Sequence, residues 1–170
     1  FGVKVRDFQS LKESISSHAA RCAEKLRLEK GCARYVSVVI KTNPFSDSDY
    51  YCGYKSSSFD VPTNDTLDII NAAENILRSI YKKGLEYKKS GVIVGDIIPQ
   101  NQVQLNLFDM DEKRIKRKKL DSTVDIINQA MGRSTIHIGS QGISKNWQLK
   151  REKLSPCYTT KWDDLLTINC

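Results

Sequence analysis

The stretch from residue 32 to 45, CARYVSVVIKTNPF, constrains the fold of this chain more than any other. β-Branched residues alternate along it, which is typical of a strand whose two faces meet different surroundings. Val36, Val38 and Ile40 are predicted to face the core. The opposite face is predicted to hold Tyr35, Ser37, Val39 and Lys41. A strand that is apolar on one face only indicates a sheet that is covered on one side.

Segments with helical periodicity lie on both sides of this strand. Apolar residues recur at helical spacing over about residues 8–29 and again over about residues 65–83. The first helix is predicted to begin either at an N-cap, Asp7, or at a competing capping box of Ser10 and Glu13. Two further strands are predicted over residues 50–61 and residues 91–99. The apolar positions of the two helices are Leu11, Ile15, Ala19, Cys22 and Leu26, and then Leu67, Ile70, Ala73, Ile76, Leu77 and Ile80.

The predicted order is helix, strand, strand, helix, strand. Residues 1–5, FGVKV, are interpreted as the end of one more strand, which would complete a βαββαβ sheet with both helices on one face. The predicted fold class is therefore α+β, with the first strand largely missing and the chain cut from something longer. A sheet that lacks an edge strand is prone to pair with a second copy, so a homo-oligomer is a further expectation.

The character of the sequence changes after Pro99. Residues 100–120 contain QLNLF (residues 104–108) and then the charged run DEKRIKRKKL, and they are predicted to be a linker. A short helix over residues 122–131 and a small strand over residues 134–138 are predicted as a C-terminal extension. The predicted domains are a sheet domain (1–99), a linker (100–120) and a C-terminal segment (121–170).

The composition indicates the class of partner and the cellular compartment in which this protein is expected to act. A net charge of +7 favours polyanionic partners over acidic or neutral ones. No apolar run approaches the roughly 20 residues that span a bilayer, and the N-terminus lacks the pattern of a signal peptide. Five scattered cysteines without metal-ligand spacing predict reduced thiols, no metal site and a cytoplasmic protein.

No arrangement of residues in the sequence predicts catalysis, so binding is the expected role. Lysines and hydroxyl groups on an uncovered sheet face suit phosphate oxygens, because they neutralise charge and donate hydrogen bonds without reading bases. The predicted DNA-binding residues are Lys41, Thr42, Lys55, Ser56, Ser57, Lys88 and Lys89. An equally good interpretation is that these are ordinary solvent-facing side chains.

The basic run from Lys113 to Lys119 has two interpretations. It is either a solubilising linker or a sequence-independent grip on a nucleic-acid backbone that salt would screen. Taken alone, the run favours the linker.

The segment Gln104–Phe108, QLNLF, is either a short buried strand or an exposed peptide. A buried strand there would have to satisfy its backbone hydrogen bonds in a very polar neighbourhood. An exposed peptide would need a partner pocket, because exposing Leu107 and Phe108 costs roughly 1.5–3 kcal/mol each. The charged flank favours the exposed peptide.

Several segments carry a resemblance to a known family. QLNLF resembles the pentapeptide with which bacterial replication and repair proteins dock on the sliding clamp. The tail from Gly139 to Leu166 resembles the C-terminal segment of the UmuC branch of the Y-family translesion DNA polymerases. Resemblance to the little-finger domain of that family is carried by Phe1-Gly2, AEKLR (23–27), VVIKTNPF (38–45), DTLDIINAA (65–73) and GVIVGDI (91–97).

The resemblance implies a function that the composition alone does not. The parent would be an error-prone polymerase of the SOS response, with Mg²⁺ bound in a palm domain upstream. The present chain would be inactive alone, would need no cofactor, and would grip primer–template DNA. The resemblance implies a clamp-binding motif at Gln104, Leu105, Asn106, Leu107 and Phe108. The tail is expected to face UmuD′-like or RecA-like proteins.

Two alternatives from other classes stay open at this stage. The first is an interaction adaptor that docks on the clamp without binding DNA, which weak or salt-insensitive DNA binding would favour. The second is an enzyme in its own right, for which metal-dependent nucleotide incorporation by the 170-residue chain would be the sign.

Overall fold

The computed structural model describes residues 1–45, 50–104, 111–144, 147–149 and 154–165, with residues 111–113 described by their backbone alone. Its helices and strands are α1 (Phe8–Leu28), β1 (Gly31–Thr42), β2 (Cys52–Thr63), α2 (Thr66–Ile80), β3 (Tyr87–Pro99) and α3 (Asp111–Met131). Short 3-10 turns lie at Gln100–Gln102, Gly139–Gln141 and Trp162–Asp164. The order α1-β1-β2-α2-β3 confirms the predicted α+β fold class.

β1 is the middle strand of the sheet, in which the described strands follow the order β2-β1-β3 with antiparallel pairing. Val36, Val38 and Ile40 are fully buried in the core that this sheet forms with α1 and α2, so the predicted faces of β1 are confirmed. Val5 pairs with Tyr87 on the outer edge of β3. This isolated bridge joins residue 5 of the predicted first strand to the sheet, whose described strands number three.

The two helices of the sheet domain begin at aspartate caps. Asp7 accepts a hydrogen bond from the backbone N–H of Ser10 at 2.6 Å, as predicted for α1, and Asp65 accepts one from Asp68 at 3.0 Å in α2. Each carboxylate satisfies an N–H group that the first helical turn leaves without a partner. Both helices contact the sheet and each other, so one layer of helices covers one face of the sheet.

The charged run at the end of the predicted linker is helical. α3 begins well before residue 122, so the prediction of a helix that starts there is wrong about its start. Arg114 donates a hydrogen bond to the carbonyl oxygen of Pro62 at 2.9 Å. Arg117 donates one to the carboxylate of Asp68 at 2.7 Å. These partners lie far away in the sequence, which is why the local pattern of the run did not predict the helix.

The predicted small strand over residues 134–138 is absent, and this prediction is wrong. The side-chain amide of Asn128 accepts the N–H of Ile136 at 2.9 Å and donates to its carbonyl oxygen at 2.9 Å. A side chain of α3 therefore takes the hydrogen bonds that a neighbouring strand would otherwise supply.

Gly139–Gln141 and Trp147 contact α1. Trp147 is buried, and its ring meets that of His18 edge to face, with the centroids 6.0 Å apart. Burial lowers the pKa of His18, which therefore favours its neutral form beside Trp147. The C-terminal region thus adds to the core of the sheet domain through one large aromatic anchor.

The described residues contain free cysteines, and their helices lack the character of a membrane span. Cys22, Cys32, Cys52 and Cys157 are free thiols. No helix in those residues combines the length and the apolar character that a membrane span requires.

Candidate nucleic-acid interface

The face of the sheet opposite the helices is the candidate interface, and we call it the open face. The register of β1 with its two neighbours decides which side chains lie on it, because directly paired residues point to the same side. Lys41 pairs with Lys89 of β3 and with Cys52 of β2. The side chains on the open face are those of Tyr35, Ser37, Val39, Lys41, Cys52, Tyr54, Ser56, Ser58, Lys89 and Ile93.

Two lysines meet at one end of the open face. Lys89 is exposed and Lys41 is half-buried, and they are direct cross-strand partners. Like charges directly opposite each other destabilise a sheet. An anion placed between them would remove that repulsion, so this end of the face favours a phosphate group.

The predicted position of Lys55 and Ser57 on the same face as Lys41 is wrong. Lys55 pairs with Val38 and Ser57 pairs with Val36, so both side chains lie on the side of the helices. They border a groove between β2 and α2. A shift of one residue in register moves every side chain of a strand to the other face. The register between β1 and β2 could not be predicted from the sequence.

Two other predicted DNA-binding residues are engaged in contacts within the fold. Thr42 is buried, and its hydroxyl oxygen accepts a hydrogen bond from the N–H of Tyr51 at 2.8 Å. Lys88 lies at the register shift between Tyr87 and Lys89, and its ammonium group donates to the carbonyl oxygen of Phe1 at 3.2 Å. Of the predicted set, Lys41, Ser56 and Lys89 therefore share the open face.

A network of hydroxyl groups occupies the middle of the open face, and it joins the predicted Ser56 to Ser37 and Tyr54, which the prediction missed. Tyr54 donates a hydrogen bond to Ser37 at 3.2 Å, and Ser56 donates one to Tyr54 at 3.3 Å. Ser37 and Ser56 lie 2.8 Å apart, within hydrogen-bonding distance. The hydrogen bonds with Ser37 and Ser56 lower the pKa of the Tyr54 hydroxyl. Ser37 is buried, and its hydrogen bonds fix the direction of the exposed Tyr54 and Ser56 hydroxyl groups, which can each bind a phosphate oxygen.

A glycine keeps the far end of the open face flat. A Cβ atom on Gly95 would lie 2.2 Å from the ring and hydroxyl of Tyr35, so the ring crosses β3 only because Gly95 has no side chain. Alternation in the sequence shows that Tyr35 is on this face. It does not show which residue of another strand lies under the ring.

The structure places Gln104 of the predicted clamp-binding motif on the surface. Leu105, Asn106, Leu107 and Phe108 lie outside the described residues. The chain that leads to the motif is fixed, because the N–H of Gln100 donates to the carbonyl oxygen of Lys30 at 2.8 Å.

A buried ionic network attaches α3 to the helix layer. Arg27 binds Asp125 with both arms of its guanidinium group, at 2.6 and 2.8 Å, and contacts Asp121 at 3.3 Å. Asp121 also accepts the N–H of Thr66 at 3.1 Å, at the start of α2. Burial opposes the charge on Arg27, but the hydrogen bond to Asp125 and the charge of Asp121 outweigh it and raise the pKa of Arg27.

The spacing of this network was visible in the sequence but was not recognised. Arg114, Arg117, Asp121 and Asp125 recur every three or four residues and so lie on one side of a helix. Such a polar stripe is usually interpreted as a solvated face. It forms contacts here because Arg27 supplies a buried charge on the opposite helix.

Two family models match this chain. The impB/mucB/samB family C-terminal domain matches residues 1–107, and a domain of unknown function, DUF4113, matches residues 118–168. The Arg27 network joins the two matched regions, since its arginine lies in the first and its aspartates lie in the second.

Curated relatives match nearly the whole chain. Protein UmuC of Salmonella typhimurium is 41% identical over 169 residues, which are 99% of this chain and 40% of the relative. Protein SamB of Salmonella typhimurium is 40% identical over 97% of this chain and 39% of its own length. Protein MucB of Escherichia coli is 34% identical over 95% of this chain and 38% of its own length. The chain thus spans about 40% of these relatives.

Proposed function

Because this chain belongs to the impB/mucB/samB family, whose C-terminal domain it matches over residues 1–107, we propose that it holds DNA and ties a translesion polymerase to the sliding clamp. The family membership confirms the resemblance on which that expectation rested. The polymerase activity, its Mg²⁺ and its use in SOS DNA repair are assigned in this proposal to the longer protein.

The open face is the proposed DNA-binding surface. The observation that carries this proposal is the pairing of Lys41 with Lys89 on the sheet face opposite the described helices α1 and α2. The hydroxyl groups of Tyr54 and Ser56 extend the same face toward its centre. Lysines and hydroxyl groups contact phosphate oxygens and not base edges, so we propose binding to the backbone of primer–template DNA without sequence preference.

Salt dependence is the test of this surface. We expect the double variant Lys41→Ala/Lys89→Ala to bind fluorescently labelled primer–template DNA more weakly, measured by anisotropy over about 50–200 mM salt. The slope of log affinity against log salt should become less steep by up to about 1.8, because each lost phosphate contact contributes about 0.9.

The matched control removes the same charge from the other side of the sheet. The variant Lys25→Ala/Lys55→Ala changes one exposed lysine on α1 and one lysine on β2 whose side chain lies on the helix side. It should keep nearly the slope of the unmodified chain. Equal losses in both double variants would show that net charge, and not the open face, governs binding. Absent or salt-insensitive binding would instead support the adaptor.

The tail carries the proposed contact with UmuD′-like or RecA-like proteins. Trp162 is 87% exposed and Leu154 is 72% exposed in the described part of the tail. Tryptophan is enriched among the residues that dominate the binding energy of protein interfaces, so Trp162 is the proposed anchor. We expect Trp162→Ala to weaken capture of such a partner while leaving DNA binding unchanged, and an unaltered capture would remove this role.

A further inference from the structure

A second group of lysines lies at the opposite end of the sheet from Lys41 and Lys89. Lys30 and Lys118 border one surface groove of about 810 Å³, together with Gly31 at the start of β1 and Gln100 after β3. Both lysine side chains are exposed. One belongs to the loop between α1 and β1 and the other belongs to α3, so the group forms only when α3 is docked.

The docked position of α3 directs Lys118 to this groove. Arg114 and Arg117, which lie one turn and one residue before it, bind Pro62 and Asp68. The arginines of the basic run are therefore used to hold the helix, and Lys118 lies beside them at the end of the sheet. Within the basic run, the arginines therefore have a structural role, and Lys118 is left for the proposed contact with nucleic acid.

Lys30 is fixed at the other side of the groove. Its backbone has a φ of 53°, a left-handed conformation that is uncommon outside glycine. Its N–H donates to the carbonyl oxygen of Arg27 at 3.0 Å, and its own carbonyl oxygen accepts from Gln100 at 2.8 Å. The start of its side chain is thus set by backbone bonds to both neighbouring elements.

The separation of the two lysine groups matches a repeat of duplex DNA. β1 runs from Gly31 to Thr42, a length of about 36 Å at 3.3 Å per residue. One turn of duplex DNA is about 34–36 Å long. A duplex whose axis follows β1 therefore presents phosphates one turn apart at the two ends of the strand.

We propose that Lys30 and Lys118 form a second phosphate-binding group, so that duplex DNA is held at both ends of β1. This proposal rests on the proposed function of the open face. It assigns a DNA contact to the region matched by a domain of unknown function, since Lys118 lies within that match. Glu29 borders the same groove, and its negative charge would repel a bound phosphate.

Salt titration of the 170-residue chain tests the proposal with a primer–template duplex of about 20 base pairs, roughly two turns. The variant Lys30→Asn/Lys118→Gln removes both charges with residues that suit their backbones, since asparagine tolerates a positive φ and glutamine favours helices. We expect the salt slope to become less steep by up to about 1.8. Glu29→Gln should have the opposite effect and tighten binding.

A short duplex separates two-ended holding from a general effect of charge. A hairpin with a stem of about six base pairs covers roughly half a turn and cannot reach both ends of β1. With this hairpin, Lys30→Asn/Lys118→Gln should change the salt slope by less than half of its effect on the long duplex. Equal effects on both DNAs would overturn the proposal.

The outcomes distinguish this proposal from the one on which it rests. An unchanged slope in Lys30→Asn/Lys118→Gln, with a reduced slope in Lys41→Ala/Lys89→Ala, would overturn the second group and leave the open face intact. Unchanged slopes in both variants would overturn both. Circular dichroism and a thermal melt of each variant confirm that the compared chains are folded.

Discussion

At the scale of single residues, Gly95 shows how one missing side chain shapes the open face. The Tyr35 ring lies across β3 at the position that any Cβ on residue 95 would occupy. Because the obstructing atoms belong to the end of a tyrosine side chain, a larger residue would displace the ring and leave the strand in place. The flat face would then acquire a raised aromatic ring at its end.

Gly95→Ala is therefore expected to lower the free energy of unfolding by about 1–2 kcal/mol, measured by urea denaturation. The NMR resonances of the Tyr35 ring should shift at the same time. Gly139→Ala is the control, because a Cβ atom there has no neighbour within 4 Å. Equal stability of the two variants would show that Tyr35 does not depend on Gly95.

Asp7 links the stability of α1 to pH. Burial alone would raise its pKa, but the hydrogen bonds from Ser10 outweigh burial and lower the pKa below its ordinary value of 3.8. A carboxyl group with a lowered pKa in the folded protein stabilises that protein above the unfolded pKa. The stabilisation is lost as the pH falls through the folded pKa.

Asp7→Ala should lower the free energy of unfolding by about 1 kcal/mol at neutral pH, because a helix cap is removed. The difference from the unmodified chain should shrink below pH 3.8, where Asp7 gains a proton. Thermal melts between neutral pH and pH 3 measure this trend. A difference that stays constant over that range would exclude the charge of the cap as its cause.

At the scale of elements, periodicity predicted the faces of β1 but not the partners of β2. Val36, Val38 and Ile40 differ strongly from their neighbours in polarity, so burial selects one face. In β2 the run Ser56, Ser57 and Ser58 has no such contrast, and either register satisfies the pattern. The hairpin pairing decides the register, which explains why Lys55 was placed on the wrong face.

The first half of α3 was not predicted, for a different physical reason. Helix propensity and charge within the run cannot show that an arginine on another helix is buried beside it. Arg27 is 13% exposed and needs counter-charges, and Asp121 and Asp125 supply them once α3 is docked. Tertiary electrostatics therefore determine where this helix docks.

Asp125→Asn should release much of this docking. A hydrogen bond to a charged group contributes about 1.5–3 kcal/mol, and the substitution removes the charge while it keeps the shape. Amide hydrogen exchange is expected to accelerate in α3 and at the start of α2. Asp163→Asn, an exposed position in the tail, is the control. Unchanged exchange in α3 would mean that Arg27 does not hold it.

At the scale of the whole molecule, the expected function came from the resemblance to a known family and not from the periodicity of the sequence. The fold follows from alternation, caps and turns, whereas the clamp-binding role of QLNLF comes from its likeness to a docking peptide. Of that motif the structure describes Gln104 alone, so the role of Leu107 and Phe108 stays a prediction.

Leu107→Ala/Phe108→Ala is expected to abolish co-elution with a bacterial β clamp in gel filtration, because each lost apolar anchor costs roughly 1.5–3 kcal/mol. DNA binding should be retained, since the open face is unchanged. Ile126→Ala/Met131→Ala removes two exposed apolar side chains of α3 and is the control. Co-elution that survives the motif variant would assign clamp binding to another segment.

The two anchors beside the QLNLF segment have a mechanical consequence. Gln100 is bonded to Lys30 before the segment and Arg114 is bonded to Pro62 after it. Asn64 ties the second anchor to the first through its 3.0 Å hydrogen bond to the carbonyl oxygen of Gly31. If the clamp binds this segment as proposed, a pull from the clamp divides between two attachments at one end of the sheet. Tension shared in this way loads the strands together and does not peel the chain away from a single end.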